Sequence, residues 1–501
     1  MIRYLTLWPT VSLLKSSNIW AVAMMRAVYK MPLFNQPLRL EKLSLHSLVK
    51  YLSDTCVCLV NSCRTSSASL QEALATCQRL SCIIHDKIPH CMANRITNEA
   101  LEYLSCHYNV MKDSINHSSS SKNILQHFVN AILHPQVTEL DIVAVRMVFV
   151  NAALNQIETL SQLKIFRACL GNGEGLDLFE QLLLEHLPSL KNLKRFTLSR
   201  WSSNEIISVL SKSAPGLTHL DVGESEDVTD KSIDVILKFA YLQSLNVSNT
   251  GISDHGYKRL LDRSRSCLHL QDFGLNFVDS SHILSLPDRF QGLRRLSLNV
   301  GNLEINLDDI AELLQGLEEL KLCASHVPAL PYFSTLKVLV LDVCKLDIQD
   351  LPTSCPCLEK LIVKTISLYC SAFKESFTHL NNLSVWVGFT DSRSIDALLS
   401  AAPNLVAFHF NTGDSRDIIA IVKLFSKSLK LNWLENLSVF SVNGSIDLKT
   451  LSLVTHRCSR LTTCNVCVEN REFMRNWYWN FTGVKIYEVK WCWMHLHHLR
   501  L

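Results

Sequence analysis

No stretch of this 501-residue chain reaches the roughly 18 to 20 consecutive apolar residues that a membrane span requires, so no spanning helix is expected. Little net charge is present either: 49 Lys and Arg stand against 46 Asp and Glu, and a formal charge of +3 gives no long-range field to draw nucleic acid or an anionic membrane. Neither is expected as a partner. Catalytic signatures are missing too, with no HExxH, GxSxG or Walker sequence, so the chain is expected not to be an enzyme. Gly171, Gly173 and Gly175 misplace the third glycine of a dinucleotide fingerprint and read as a turn. With 48% hydrophobic and 19% charged residues, a disordered chain is excluded.

The 18 cysteines are scattered over the whole length, and several, Cys323, Cys344 and Cys464 among them, fall where the chain is expected to point inward or into a turn. Free cysteine is a small buried hydrophobe, so a reducing compartment, cytoplasm or nucleus, is the simpler reading than a secreted disulfide framework. Cys355 and Cys357 flank a single proline, the wrong spacing for a thioredoxin-type pair, and are expected to be structural. Cys492, His495, His497 and His498 are chemically suited to zinc, but adjacent histidines rarely converge and no second CxxC is near; no metal and no cofactor is expected. The first acidic residue is Glu41, and Arg3, Lys15, Arg26 and Lys30 punctuate the lead, which resembles a mitochondrial presequence; the alternative is a nonessential extension over residues 1–35, with Met31 as a second start.

A six-residue pattern, apolar-x-x-apolar-x-apolar, begins at Val137, Leu163, Leu193, Leu217, Leu242, Leu270, Leu293, Leu317, Leu336, Leu358, Leu380, Leu405, Leu434 and Leu461. Self-similarity at about 20 to 29 residues is the mark of leucine-rich repeats. Apolar residues two apart on a strand share a face, so these become the core while their neighbours face water. Asn249 after Val247 and Cys344 after Leu341 stand where the repeat wants a turn residue. Between strands the period becomes helical, as in Ile310, Leu313, Leu314 and Leu317, in Ile233, Ile236, Leu237 and Ala240, and in Ile395, Leu398, Leu399 and Ala402. Ser202 with Glu205, and Thr229 with Asp230, are expected to cap helices.

The expected fold class is therefore α/β, a solenoid over residues 131–470 with a concave parallel sheet and convex helices. The aromatic residues Trp477, Tyr478, Trp479, Phe481, Trp491 and Trp493 lie in a region, 471–501, expected to cap its end. Its binding surface is expected on the solvent-facing strand positions: Arg195, His219, Asp221, Asn246, Asp272, Arg295, Lys321, Lys360, Lys364, Trp386 and His409. Among these, Trp386 and Arg295 are the types that concentrate interface energy.

Residues 36–110 read as broken helical patterns, with the serines Ser118 to Ser121 suggesting a linker and entry helix over 111–130. Leu40, Leu43, Leu48 and Leu52 share one helical stripe, and Ile88, Pro89, Met92 and Ile96 open a second helix with proline in its first turn. The segment from Leu217 to Gly256 resembles the ribonuclease-inhibitor-like repeats of ubiquitin-ligase receptors, a horseshoe fold. Leu40, Ser44 and Leu48, followed by Ile88, Pro89, Met92 and Ile96, resemble the elongin-binding and cullin-2 boxes of the Zyg-eleven and PRAME families, with Ser44 where those families carry Cys. That resemblance implies a substrate-recognition subunit of a cullin–RING ubiquitin ligase, with Leu40 entering elongin C of the elongin B/C pair and Ile88 with Pro89 selecting cullin-2. Two alternatives stay open: residues 36–108 only cap the first strand's open edge, or they form an F-box binding SKP1 and cullin-1.

Overall fold

The computed structural model describes residues 37–487 except 64–66, 144, 170–175, 265–269, 277–291, 302–306, 328–329, 371–372, 391, 413–432, 447–457 and 469–484. The chain divides into two compact units, one of residues 1–201 with 205–217 and one of 202–204 with 218–501.

In the first unit, five helices precede the repeats: α1 (Pro37–Ser62), α2 (Ser67–Lys87), α3 (Ala93–Cys106), α4 (Tyr108–His117) and α5 (Ser119–Ile132). Leu45, Val49, Leu52, Cys56 and Val60 recur at helical spacing on α1 and are all buried, as are Ala73, Cys77, Leu80 and Ile84 on α2. Of the expected stripe, Leu52 is buried and Leu48 half-buried, Leu45 fills an inner position, and the side chains of Leu40 and Leu43 lie outside the described residues. Cys56, Cys63 and Cys77 are free and buried, and burial pushes the Cys77 thiol up to about 12. The serine run is not a linker: the Ser118 side chain accepts a hydrogen bond from the Ser121 N–H and caps α5, while Ser121 Oγ donates to Val60 O at 2.8 Å. Serine favours an N-cap because its hydroxyl satisfies an orphan N–H. The expected entry helix is α5, which runs to Ile132.

Three parallel strands follow in this unit, β1 (Glu139–Asp141), β2 (Ile165–Cys169) and β3 (Arg195–Ser199), paired in sequence order. Phe166 and Phe196 are register partners, stack at 5.5 Å and are fully buried. The strands alternate with α6 (Met147–Leu154), α7 (Leu176–His186) and α8 (Asn204–Ser213), the last belonging to this unit from Glu205 onward.

The second unit contains β4 (His219–Asp221), β5 (Ser244–Asn246), β6 (Asp272–Asn276), β7 (Arg295–Gly301), β8 (Glu319–His326), β9 (Val338–Asp347), β10 (Lys360–Tyr369), β11 (Asn382–Thr390), β12 (Ala407–Thr412), β13 (Val439–Ile446), β14 (Thr463–Val468) and β15 (Lys485–Tyr487). Each strand pairs in parallel with the next one in sequence. Returns are made by α9 (Ile233–Ile236), α10 (Asp254–Ser264), α11 (Leu307–Leu313), α12 (Leu351–Ser354), α13 (Ser392–Ser400) and α14 (Trp433–Asn436). The fold is an α/β leucine-rich-repeat solenoid with a helical amino-terminal region, and β15 carries the strand array past the expected end at 470.

Burial follows the six-residue pattern. Leu217, Leu242, Leu317, Leu336, Leu380 and Leu405 are each 0% exposed, and each contributes roughly 1.5 to 3 kcal/mol relative to exposure. One copy is re-registered: Leu437, Phe440 and Val442 fill the core, with Phe440 paired to Phe408, whereas Leu434 lies in α14. Cys344 is not in a turn either, because β9 runs straight through it and its side chain is half-buried on the solvent-facing side, as is that of Cys323 on β8. Asn249 does occupy a turn, with φ 57, a conformation asparagine tolerates. Thr229 precedes a short 3-10 turn and its side chain caps nothing there; its hydroxyl and N–H pair with the Asn204 amide instead.

Candidate protein-recognition face

Among the described side chains of β1–β12, strand alternation puts successive residues on opposite faces, one of them facing away from the core. All the expected binding residues lie at such positions, and parallel register lines them up in rows.

In the first unit, Arg195 is exposed opposite Ile165. Beside it Arg167 Nη1 donates to Glu139 at 2.5 Å and to Asp141 at 3.3 Å, a clamp across β1 and β2.

In the second unit, Asp221 and Asn246 are register partners, and Asn246 Nδ2 donates to Asp221 Oδ1 at 2.8 Å. Asn246 Oδ1 accepts from the Ser248 hydroxyl at 2.8 Å and the Ser248 N–H at 3.2 Å. The next strand carries Gly274 there, where an added Cβ would come within 2.3 Å of Asn246 Oδ1. Burial raises the Asp221 carboxyl above the usual carboxylate range, against the lowering effect of hydrogen bonds from the Gly223 N–H and Asn246. The turn continues the ladder: Asn276 Oδ1 accepts from Asn249 N–H at 2.8 Å, and Asn299 bonds the Asn249 side chain. Such a polar ladder is fixed in place by its own bonds and leaves few groups for a partner.

Farther along, Arg295 forms a two-pronged pair with Asp272, Nη2 to Oδ2 at 2.5 Å, and that bond holds the guanidinium in its charged form. His219 is half-buried, its ring nitrogen 2.8 Å from Thr218 Oγ1. Lys321 is exposed on β8, and Lys360 and Lys364 are half-buried on β10. Lys364 Nζ lies 3.9 Å from Asp342 and 5.7 Å from the centre of the half-buried Trp386 ring, within cation–π range. His409 is held toward its neutral form, first by burial and then by Lys360.

Sequence reasoning missed Val338, Val340 and Ile362, half-buried at solvent-facing positions of β9 and β10. The signal was present in the unbroken apolar runs Val338–Leu341 and Leu361–Val363, which do not alternate.

The amino-terminal residues separate. Leu40 and Ser44 lie in the first turns of α1, and their side chains fall outside the described residues. Ile88 is 4% and Ile96 0% exposed, so both are core residues; Pro89 and Met92 are half-buried. Pro89 is extended, with φ −60 and ψ 138, and precedes a 3-10 turn, so α3 starts at Ala93 and not at Pro89. Sequence reasoning also missed Asn94 and Asn98. Asn94 Oδ1 accepts from Thr138 N–H at 2.8 Å and Glu139 N–H at 3.2 Å, while Asn98 donates to Glu139 O at 3.0 Å and accepts from Asp141 N–H at 3.1 Å. These amides, one helical turn apart, satisfy the free edge of β1 as a further strand would.

The three glycines at 171–175, the Cys492 to His498 group and the aromatic tail lie outside the described residues. Cys355 is buried, with its thiol raised to about 12 by desolvation, and Cys357 is half-buried. Among the described residues no group of three or more His, Cys, Asp or Glu is arranged to hold a metal, and no helix is long and apolar enough to cross a membrane.

No family model and no curated protein matches the chain. It is similar to a chain in the crystal structure of the Rad7–Elc1 complex of yeast, with 14% identity over 91% of this chain and 98% of that one and a TM-score of 0.43. It is also similar to the internalin InlF of Listeria monocytogenes, with 14% identity over 70% of this chain and 92% of that one and a TM-score of 0.26. A third similarity is to the Toll–Spätzle complex of Drosophila, with 12% identity over 63% of this chain and 48% of that one and a TM-score of 0.27. This chain's repeat is carried by its own register: solvent-facing side chains on consecutive parallel strands, over a core of leucines at fixed spacing.

Proposed function

We propose that this chain is a non-catalytic protein-recognition scaffold, and that it serves as the substrate-recognition subunit of a cullin–RING ubiquitin ligase in the cytoplasm or nucleus. The observation that carries the scaffold reading is the set of solvent-facing rows on β8–β12, where Lys321, Lys360, Trp386 and His409 line an extended surface. The ligase reading adds the likeness of Leu40, Ser44, Leu48, Ile88, Pro89, Met92 and Ile96 to adaptor boxes; among those whose side chains are described, Leu48, Pro89 and Met92 are half-buried and accessible, with the exposed His90 and Cys91 beside the latter two. Elongins B and C would be held at α1 and cullin-2 at the turn before α3, while the target occupies the sheet face.

Affinity purification of the full chain with mass spectrometry tests this. Elongins B and C with cullin-2 are expected, and Leu40→Ser or Pro89→Ala should lose them. SKP1 with cullin-1 in their place would move the chain to the F-box class, and neither pair would leave the scaffold alone.

A second reading is favoured by Asn94 and Asn98, which close the edge of β1: the helical region acts as a cap. Asn94→Ala/Asn98→Ala then lowers the melting temperature without altering adaptor capture.

A further inference from the structure

Solvent-facing strand positions ordinarily carry polar side chains, because they remain in water. Val338, Val340 and Ile362 break that rule together. Val340 and Ile362 are direct register partners, and Val338 pairs with Lys360. Lys321 is the partner of Val340 on the β8 side, and Ser384 is the partner of Ile362 on the β11 side. Two residues farther along the strands, Asp342, Lys364 and Trp386 stand side by side. Neighbouring strands lie about 4.8 Å apart, so the patch from β8 to β11 is roughly 15 Å across, the width of a short peptide segment with its side chains.

The charges around this patch are unevenly satisfied. Asp342 is answered by Lys364, whose ammonium also lies over Trp386. Arg295 is held by Asp272, and Glu319 on β8 is its register partner. Lys321 and Lys360 make no ion pair among the described residues, and they stand on either side of the apolar trio. Burial, and then Lys360, favour the neutral form of His409. Glu319 borders Val338 on the β8 side and the Lys321 charge reaches Asp221, so the rim is mixed, but its two ammonium groups are held by no ion pair among the described residues and can meet carboxylates flanking an apolar side chain.

We propose that Val338, Val340, Ile362 and Trp386 are the anchor of a docking site for an acidic segment of a partner protein, whose flanking carboxylates pair with Lys321 and Lys360. This rests on the protein-recognition reading above and names the partner's chemistry. The apolar centre gives a nucleic-acid backbone nothing to pair with, so a protein segment is the occupant.

The test uses the full chain and three labelled synthetic peptides in fluorescence anisotropy: a leucine–isoleucine pair flanked by aspartates and glutamates, the same pair flanked by lysines, and the acidic peptide with both apolar residues replaced by serine. The first is expected to bind at least about tenfold more tightly than either of the others, and less tightly as salt is raised. Lys321→Glu/Lys360→Glu, which touches no core residue, should weaken it about tenfold with an unchanged melting temperature, and Ile362→Asp should abolish it. Equal binding of the lysine-flanked peptide, no binding of the acidic peptide up to millimolar concentration, or tighter binding of a single-stranded oligonucleotide overturns the proposal. The same variants are then assayed for elongin C capture. Capture retained alongside a failed peptide assay defeats only this inference, whereas peptide binding without elongin C defeats only the adaptor reading.

Discussion

Two stretches of the repeats solve the same packing problem differently. From Leu217 to Leu270 the pattern advances by 25 and 28 residues, strands β4 and β5 are three residues long, and the return after β5 includes the eleven-residue helix α10. From Leu317 to Leu380 it advances by 19, 22 and 22 residues, strands β8–β10 are eight to ten residues long, and α12 is a single turn. A helix rises about 1.5 Å per residue against about 3.3 Å for a strand, so a repeat short of residues must return by extended chain. The surfaces differ accordingly. The long repeats carry a polar ladder through Asp221, Asn246 and Asn276, committed to its own turns, whereas the short ones carry the half-buried apolar side chains of Val338, Val340 and Ile362.

The buried core should not distinguish the two stretches. Leu245→Ala and Leu361→Ala remove side chains that are 1% and 0% exposed, and each is expected to cost about 2 to 5 kcal/mol in denaturant unfolding. A cost confined to one stretch would mean that the two do not share one kind of core. On the solvent-facing side the stretches should part. Asn246→Ala strips partners from Asp221 and Ser248 and is expected to cost about 1 to 3 kcal/mol, while Ile362→Ser should stay within about 0.5 kcal/mol. Equal losses in the two melts would refute the distinction between the two surfaces.

Gly274 sharpens the point, because its missing Cβ makes room for Asn246. Gly274→Ala alone should cost about 1 to 3 kcal/mol, and less in an Asn246→Ala background; strict additivity in the double-mutant cycle would deny the contact.

The smallest effect concerns pH. Burial raises the folded-state Asp221 pKa, so the native state holds its proton more tightly than the unfolded chain does. Its contribution to stability therefore falls as pH rises from the ordinary carboxylate value through the raised one. Asp221→Asn keeps an oxygen to accept from Asn246 and Gly223, so a gain of some tenths of a kcal/mol is expected at pH 7, vanishing in acid below the ordinary carboxylate pKa. A gain unchanged across the titration would trace the effect to packing.

Spacing alone determined a great deal of this protein. A leucine recurring with one residue between inner partners can be buried in only one way, so the parallel repeat, its core and the solvent-facing positions of Arg295, Lys321 and Trp386 were legible residue by residue. Tertiary structure decided what spacing leaves degenerate. Leu434-x-x-Leu437-x-Val439 and Leu437-x-x-Phe440-x-Val442 fit one template, and only pairing of Phe440 with Phe408 selects the second. Likewise Asn94 and Asn98 read as polar residues of a helix until the unpaired edge of β1 lies against them. Ile88 and Ile96, which a motif would present to a partner, are claimed by the core. Periodicity records which side chains leave water, and which groups then meet depends on contacts between residues far apart in the chain.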